Sequence, residues 1–246
     1  MEGLFVLFFI IFAIVIISMI LLSIKNKAFK ETVVIKVLDE VLEDVTYGYS
    51  KGFDRNLILD TKLINKGSSF SSSDFVDAKY DGIPFQMGNV NIEYTYTIDD
   101  QTYTDVYFKG QWLIFDIEKS IDGKLYMIDR DFKYSTPHKP GLFSKTDLNK
   151  VETESIGFNK QFKVYASNPL EVFEVLSPQK ILEFYDKHRE DVSFYLSGTK
   201  LHVAIYSNKE IFSVKLLKSE SQDQQEIRVR NEILEVLSYL NILKGQ

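Results

Sequence analysis

Apolar positions along the chain change their spacing three times. Residues 4–24 read LFVLFFIIFAIVIISMILLSI, without a charge and with only Ser18 and Ser23 as polar interruptions. About 20 apolar residues rising about 1.5 Å each cover a ~30 Å hydrocarbon core. A buried helix of a soluble protein would carry a polar face, and this segment has none. Over residues 28–47 the pattern becomes two-faced. Val34, Val37, Leu38, Val41, Leu42 and Val45 follow helical spacing, with Lys36, Asp39, Glu40, Glu43 and Asp44 opposite. This predicts an amphipathic helix continuing from the membrane. Residues 49–60 are less regular, and Lys66-Gly67-Ser68-Ser69-Phe70-Ser71-Ser72-Ser73 predicts a Ser-rich loop.

From Phe75 the period falls to two, the spacing of strands. Asp81-Gly82 signals a turn, and residues 90–97 a strand. Asp99-Asp100-Gln101 signals a hairpin, with residues 102–109 returning. Residues 111–118 and 124–128 read as two more strands joined by a turn at Asp122-Gly123. The run predicts an antiparallel meander. Pro137, Pro140 and Gly141 mark the best internal break, a surface loop over 135–150. Short strands follow at 150–153 and 162–166. Ser177-Pro178 opens a helix to about Lys187, with Ser as N-cap and Pro at the first helical position. A hairpin about Ser197-Gly198-Thr199, a strand over 210–217 and a closing helix over 224–243 complete the chain. On that helix Val229, Ile233, Val236, Leu240 and Leu243 form the stripe. The expected class is α+β: an antiparallel sheet meander with packed helices after one transmembrane helix. Its parts are an anchor (1–27), a juxtamembrane helix and connector (28–66) and a domain (67–246).

Charge orients the anchor. Only Glu2 carries a side-chain charge before the span, whereas Lys25, Lys27 and Lys30 follow it. Lysine and arginine stay on the cytoplasmic side, so the C-terminal domain is expected inside. A cleaved signal peptide is the rival reading. It needs a basic start, a shorter apolar run and a small-x-small site. Met1-Glu2-Gly3 and Ser23-Ile24-Lys25 supply neither the start nor the site. The net charge of −6 over 246 residues disfavours non-specific nucleic-acid binding. Without cysteine there is no disulfide, thiolate nucleophile or thiolate metal site.

Several motifs resemble a known family. They are Phe108-Lys109-Gly110-Gln111-Trp112-Leu113-Ile114-Phe115-Asp116, then Phe158-Asn159-Lys160-Gln161-Phe162-Lys163-Val164-Tyr165-Ala166-Ser167, then Val175-Leu176-Ser177-Pro178. Ser69-Phe70, Tyr80-Asp81-Gly82-Ile83-Pro84-Phe85 and Ile92-Glu93-Tyr94 stand upstream, and residues 192–205 follow. In this order they resemble DUF3137, bacterial proteins of unknown function often set beside transmembrane segments. The resemblance covers roughly residues 67–243 and implies no catalytic residue. Gln111-Trp112 and Ile121-Asp122-Gly123 depart from the family's commoner aromatic and Phe-Lys-Gly forms.

The search for chemistry singles out few residues. His138, His188 and His202 lie on a loop, a helix end and a strand, with no metal-ligand partner at motif spacing. His202 reads as a strand residue. Asp99, Asp100 and Asp105 could suggest a cation, but acids beside a hairpin turn are ordinarily solvated. Asp129, Arg130 and Asp131 read as a local charge cluster. Tyr80, Phe85, Tyr94, Tyr96, Tyr103, Tyr107, Phe108 and Trp112 crowd the central strands, either as core or as a binding face. No catalytic, cofactor-binding or metal-binding residue is assigned. The expected partners are the bilayer, through 4–24, and a protein or second copy, through the 28–47 or 224–243 helix. The expected function is a non-enzymatic interaction or scaffold domain. The alternatives are a tethered small-ligand sensor, with an enclosed apolar pocket, and an enzyme using an unrecognised carboxylate or hydroxyl site.

Overall fold

The computed structural model describes residues 2–132, 134, 148–187, 191–215 and 220–244, with side chains from Phe9 onward. The first element, α1 (Glu2–Val41), is one unbroken helix. From Phe9 to Lys25 every residue is exposed, so no part of the domain covers the apolar stretch. By length and composition it is a candidate membrane span. Further along the same helix, Val33, Val34, Val37 and Leu38 are fully buried in the domain's core. One helix therefore carries an uncovered apolar stretch and a core-packing stretch in succession.

Helix α1 stops earlier than its apolar spacing suggests. Its expected last turns form β1 (Glu43–Gly48), which pairs antiparallel with β2 (Ser69–Tyr80). Asp44 takes a positive φ of 51° and turns the chain. Val45-Thr46-Tyr47 then meets a strand partner, and pairing overrides the local helical period. The Ser-rich stretch is likewise strand from Ser69 on, in register with residues 89–93 of β3 (Ile83–Ile98). Serine carries no alternation to reveal this. The partner strand satisfies the backbone, and Ser72 Oγ also donates to the Asn89 carbonyl (2.7 Å). Helix α2 (Arg55–Leu59), capped by Asp54, sits in the stretch between β1 and β2.

Two expected turns are bends. β4 (Gln101–Asp129) runs straight through Asp122-Gly123, and β7 (Asp191–Tyr206) through Ser197-Gly198-Thr199. The two strands pair from Gln111↔Ile205 to Met127↔Phe194, with register shifts at Asp116, Ile121 and Lys124. Gly123 (φ 111°) and Gly198 (φ 60°) face this irregularity. Positive-φ glycine suits a hairpin turn and a bulge equally, so the local signal was ambiguous. β3 pairs with the first half of β4, and β6 (Phe162–Ala166) with its last residues, on the edge opposite β7. β5 (Asn149–Val151) pairs antiparallel alongside β6. The order is β1-β2-β3-β4-β6-β5, with β7 beside β4.

Three short helices lie on the second half: α3 (Ile156–Gln161), α4 (Pro169–Val175) and α5 (Pro178–Lys187). Helix α6 (Gln222–Leu243) closes the fold, its N-terminus held by a capping box of Ser221 and Gln224. The expected strand over 210–217 is not one within the described residues. Side chains take its backbone donors instead: Asn89 Oδ1 accepts from Ile211 N (3.0 Å), and Gln225 Oε1 from Lys215 N (3.0 Å). The proline loop lies outside the described residues over 135–147, as do His138 and His188.

The sheet has two apolar faces. Leu113, Phe115, Leu125 and Met127 point to the side that packs α1, α4, α5 and α6. Trp112, Ile114, Tyr126 and Ile128 alternate to the other side, covered by Phe53, Ile58, Leu63 and Ile64. The stripes of α1 and α6 both face inward, with Val229, Ile233, Leu237 and Leu240 buried. The two helices run parallel and are joined by Lys36–Glu226 (2.6 Å) and by Arg230–Glu40. These stripes pack within the domain, while Ile35 of α1 and Ile227 and Leu234 of α6 stay exposed.

Candidate functional site

Where α1 enters the domain, four side chains bind it to the sheet. Lys30 Nζ lies 2.7 Å from Asp74, and both side chains are nearly buried. Tyr47 Oη and Asn89 Nδ2 donate to the same carboxylate at 2.5 and 3.0 Å. Burial, and then the negative Asp74 beside it, push the Tyr47 hydroxyl well above its ordinary range, so it stays a donor. Lys30 also sits 4.7 Å over the Tyr49 ring. The candidate span is therefore fastened to the folded part by a charge-assisted network.

At the other end of the domain, α4 and α5 are apolar on both sides. Val172, Val175, Ile181 and Phe184 point into the core. Leu170 (76% exposed), Phe173, Leu182 and Tyr185 point to water, joined by Ile156 of α3 (74% exposed). The local sequence explains this. Asn168 caps α4 with Pro169 in its first turn, and 170/173 and 182/185 repeat at three-residue spacing on the outer faces. Between the helices runs a groove of about 590 Å³, lined by Phe173, Leu176, Pro178, Ile181 and Leu182, with Glu154 and Ser155 at its polar edge. Contiguous exposed apolar surface of this kind marks interaction sites. The sequence reading missed it. The available signal was helical spacing of apolar residues on two faces, where a surface helix needs one.

The residues singled out from sequence are dispersed. His202 is buried on β7, and its Nδ1 accepts from Trp112 Nε1 at 3.2 Å. Burial, with a smaller push from Lys200, lowers its pKa to about 4, so it is neutral at physiological pH. Asp99 and Asp100 form the positive-φ turn between β3 and β4, exposed at the hairpin tip, whereas Asp105 stands four rungs back, half-buried and opposite Tyr94. The aromatic residues divide. Phe85, Phe108 and Trp112 are core, whereas Tyr94, Tyr96, Tyr103 and Tyr107 stack along one surface of the β3–β4 hairpin. Tyr80 takes Lys244 over its ring. Asp129, Asp131 and Asp191 bring carboxylate oxygens within 4.8 Å of one another. Asp129 already accepts from the Gln161 amide (3.0 and 3.2 Å) and from Asp131 N (2.9 Å).

A long apolar helix leading into a bent antiparallel sheet, with every helix but α2 packed on one face, defines a candidate membrane-associated α+β domain. The family comparison agrees in class. Residues 106–244 match DUF3137, "Protein of unknown function", and the chain belongs to that family. None of the curated proteins compared matches it. Among solved structures, the crystal structure of the mycobacterial trehalose monomycolate transport factor A, TtfA, is similar with a TM-score of 0.44 and 7% identity. The match covers 90% of this chain and 99% of that one.

Proposed function

We propose that this chain is a single-span, non-enzymatic interaction domain on the cytoplasmic face of the membrane, binding a protein partner in the α3–α5 groove. The observation that carries the reading is the exposed apolar surface of Ile156, Leu170, Phe173, Leu182 and Tyr185 around that groove. A groove between helices suits an amphipathic helix laid along it. Three lysines directly after the apolar stretch support the cytoplasmic orientation. A small apolar ligand is the second reading, because a volume of about 590 Å³ lies within the range of small-molecule sites.

A photo-crosslinking residue at Phe173, and separately at Leu182, tests this in intact membranes. The same protein should be captured from both positions, not from a control position at Lys200, and Leu170→Asp should abolish capture. Capture of a small molecule instead would favour the sensor reading. Identical patterns at the groove and the control would refute both. Protease access to the domain in intact cells would refute the cytoplasmic orientation.

A further inference from the structure

We propose that the β3–β4 hairpin is a second membrane contact, laying its tyrosine-bearing face in the phospholipid headgroup layer beside the α1 span. The hairpin projects beyond the sheet. β2 stops pairing with β3 at Ser69↔Glu93, and β7 stops pairing with β4 at Gln111↔Ile205. Among the described residues, the strand partners of 94–105 lie within the ribbon itself, as in Tyr96↔Tyr103 and Tyr94↔Asp105, and at its base Ser68 Oγ accepts from Thr95 N (2.8 Å). Alternation then sorts the ribbon. Tyr94, Tyr96, Ile98, Tyr103 and Tyr107 share one face with Gln101 and Asp105, while Thr95, Thr97, Thr102 and Thr104 share the other. The rings stack at centroid separations of 5.6–5.9 Å. Tyr134 covers Tyr107 at the base of the ribbon (ring centroids 4.3 Å apart), whereas Ile98, Tyr94 and Tyr103 nearer its tip are exposed.

The strand directions place that face. Lys30 of α1 is bonded to Asp74 of β2, and α1 ends just before Glu43, which stands opposite Lys79. Lys30 to Val41 rises about 16 Å as helix, and Asp74 to Lys79 covers about 16 Å as strand, so α1 lies along β2. β3 runs antiparallel to β2, and Asn89 of β3 is bonded to Asp74. Going from Asn89 to Ile98 therefore means going towards the candidate span. Along α1 the apolar stretch begins at Ile24, about 9 Å beyond Lys30. Tyr94 lies about 16 Å and Ile98 about 30 Å beyond Asn89, measured along the strand. The ribbon thus reaches the bilayer surface.

Chemistry sets the depth and the lipid. Tyrosine is the residue of the membrane–water interface, with an apolar ring and a wet hydroxyl. The Asp99-Asp100 tip keeps the ribbon out of hydrocarbon, since carboxylates there are costly. Straight extension would carry Ile98 about 20 Å past the level of Ile24. The proposed contact therefore has the two-stranded ribbon, without β2 and β7 beside it beyond Glu93 and Gln111, lean over onto the headgroups, side-on and shallow. The connection between β1 and β2 emerges at the same end and carries Lys51, Arg55, Lys62 and Lys66 against Asp54 and Asp60. With Lys25 and Lys27 it gives the lipid phosphates a basic collar in a chain of net charge −6.

The test uses the full chain in phosphatidylcholine vesicles, with Tyr96→Trp and Thr95→Trp as reporters on opposite faces. Trp112, the sole native tryptophan, is fully buried and serves as a constant background. Tyr96→Trp should be quenched at least twofold more by a lipid with a shallow spin label than Thr95→Trp, and less by aqueous iodide. Tyr103→Trp, its register partner, should behave like Tyr96→Trp and replaces it should that variant misfold. Iodide quenching equal on both faces, without lipid quenching, overturns the proposal. So does a Tyr96→Trp signal shielded from iodide yet blind to the labelled lipid, because a protein surface would then cover the ribbon.

Discussion

Lys30→Met tests how α1 is fastened to the sheet. The substitution keeps most of the side chain's volume and removes its charge. Asp74 is then left as a carboxylate whose side chain is 2% exposed. Stranding one member of a buried pair costs about 3–5 kcal/mol. Asp74 retains donors from Tyr47, Asn89 and Ser73, so the lower end applies, about 3 kcal/mol. For a chain of this size that lowers Tm by about 6–12 °C. Asp74→Asn should cost less, about 1–2 kcal/mol, because Lys30 can still reach water along the surface. Asparagine is the right replacement. Asp74 sits at φ 55°, a region asparagine tolerates and alanine does not.

The combination Lys30→Met with Asp74→Asn completes the cycle. With no charge left to strand, the double variant should fall within about 1 kcal/mol of Asp74→Asn alone, giving a coupling of about 2 kcal/mol or more. Unfolding of the full chain in detergent can be followed by Trp112 emission, since that ring is fully buried in the sheet. A coupling below about 0.5 kcal/mol, or a Lys30→Met variant as stable as the parent, would refute the claim that this contact holds α1 to the domain.

Acid should destabilise the domain through His202. Its folded pKa of about 4 lies below the usual 6.5, so the unfolded chain binds the extra proton. Stability is complete above pH 6.5 and is lost as the pH falls towards 4, by about 3 kcal/mol in all; unfolding curves for His202→Gln should lack that component. Gly123→Ala should lower Tm by about 4–8 °C, from about 2 kcal/mol of backbone strain and overpacking. At φ 111° an added Cβ would lie 2.7 Å from Ser167 Cβ, so Ser167→Gly should restore part of the loss in the same melting assay. Leu170→Asp should leave Tm within about 1–2 °C of the parent, since the side chain is exposed, while abolishing crosslinks at Phe173; a large Tm loss would mean the surface is structural.

What could be read from sequence was what is encoded locally. The apolar run, the α6 stripe, the Ser177-Pro178 start and the Asp81-Gly82 and Asp99-Asp100 turns each follow from neighbours within a few residues, and each has its element in the structure. Errors arose where a distant partner decided. Residues 43–48 have a helical period but become strand because β2 lies beside them. Gly123 and Gly198 signal positive φ, yet only the paired strand shows that they bend the chain instead of reversing it. α3 and α4 span six and seven residues, too few for a period to emerge. The network at Asp74 joins residues 44 positions apart, and no local pattern encodes it. The tyrosines were recognised as a group, but which of them face water depended on where β2 and β7 stop.

Helix α1 links these features mechanically. Between Leu4 and Val41 the sequence has neither glycine nor proline, and the helix runs through without a break. Sharp kinks need such residues, a bulge or an inserted group, so α1 transmits orientation instead of absorbing it. Its C-terminal turns are core, and Lys30 is clamped to Asp74. Tilting the domain against a bilayer that held α1 would therefore have to break the clamp or pull Val33 and Val37 from their packing. The opposite end carries the Asp81 turn, where Lys244, just after α6, bonds Asp81 (2.8 Å) and shares a cleft with Val175 and Ser177 at the α4–α5 junction. The α3–α5 groove is thus presented at the end remote from α1's apolar stretch, about 16 Å or more beyond Lys30 along β2. With α1 in a bilayer, this rigid stalk would hold the groove away from it, as the proposed capture of a protein from the aqueous side requires. By the same logic, inserting a glycine pair between Lys25 and Lys30 should leave the groove's affinity intact in detergent while weakening the contact of the tyrosine ribbon with lipid.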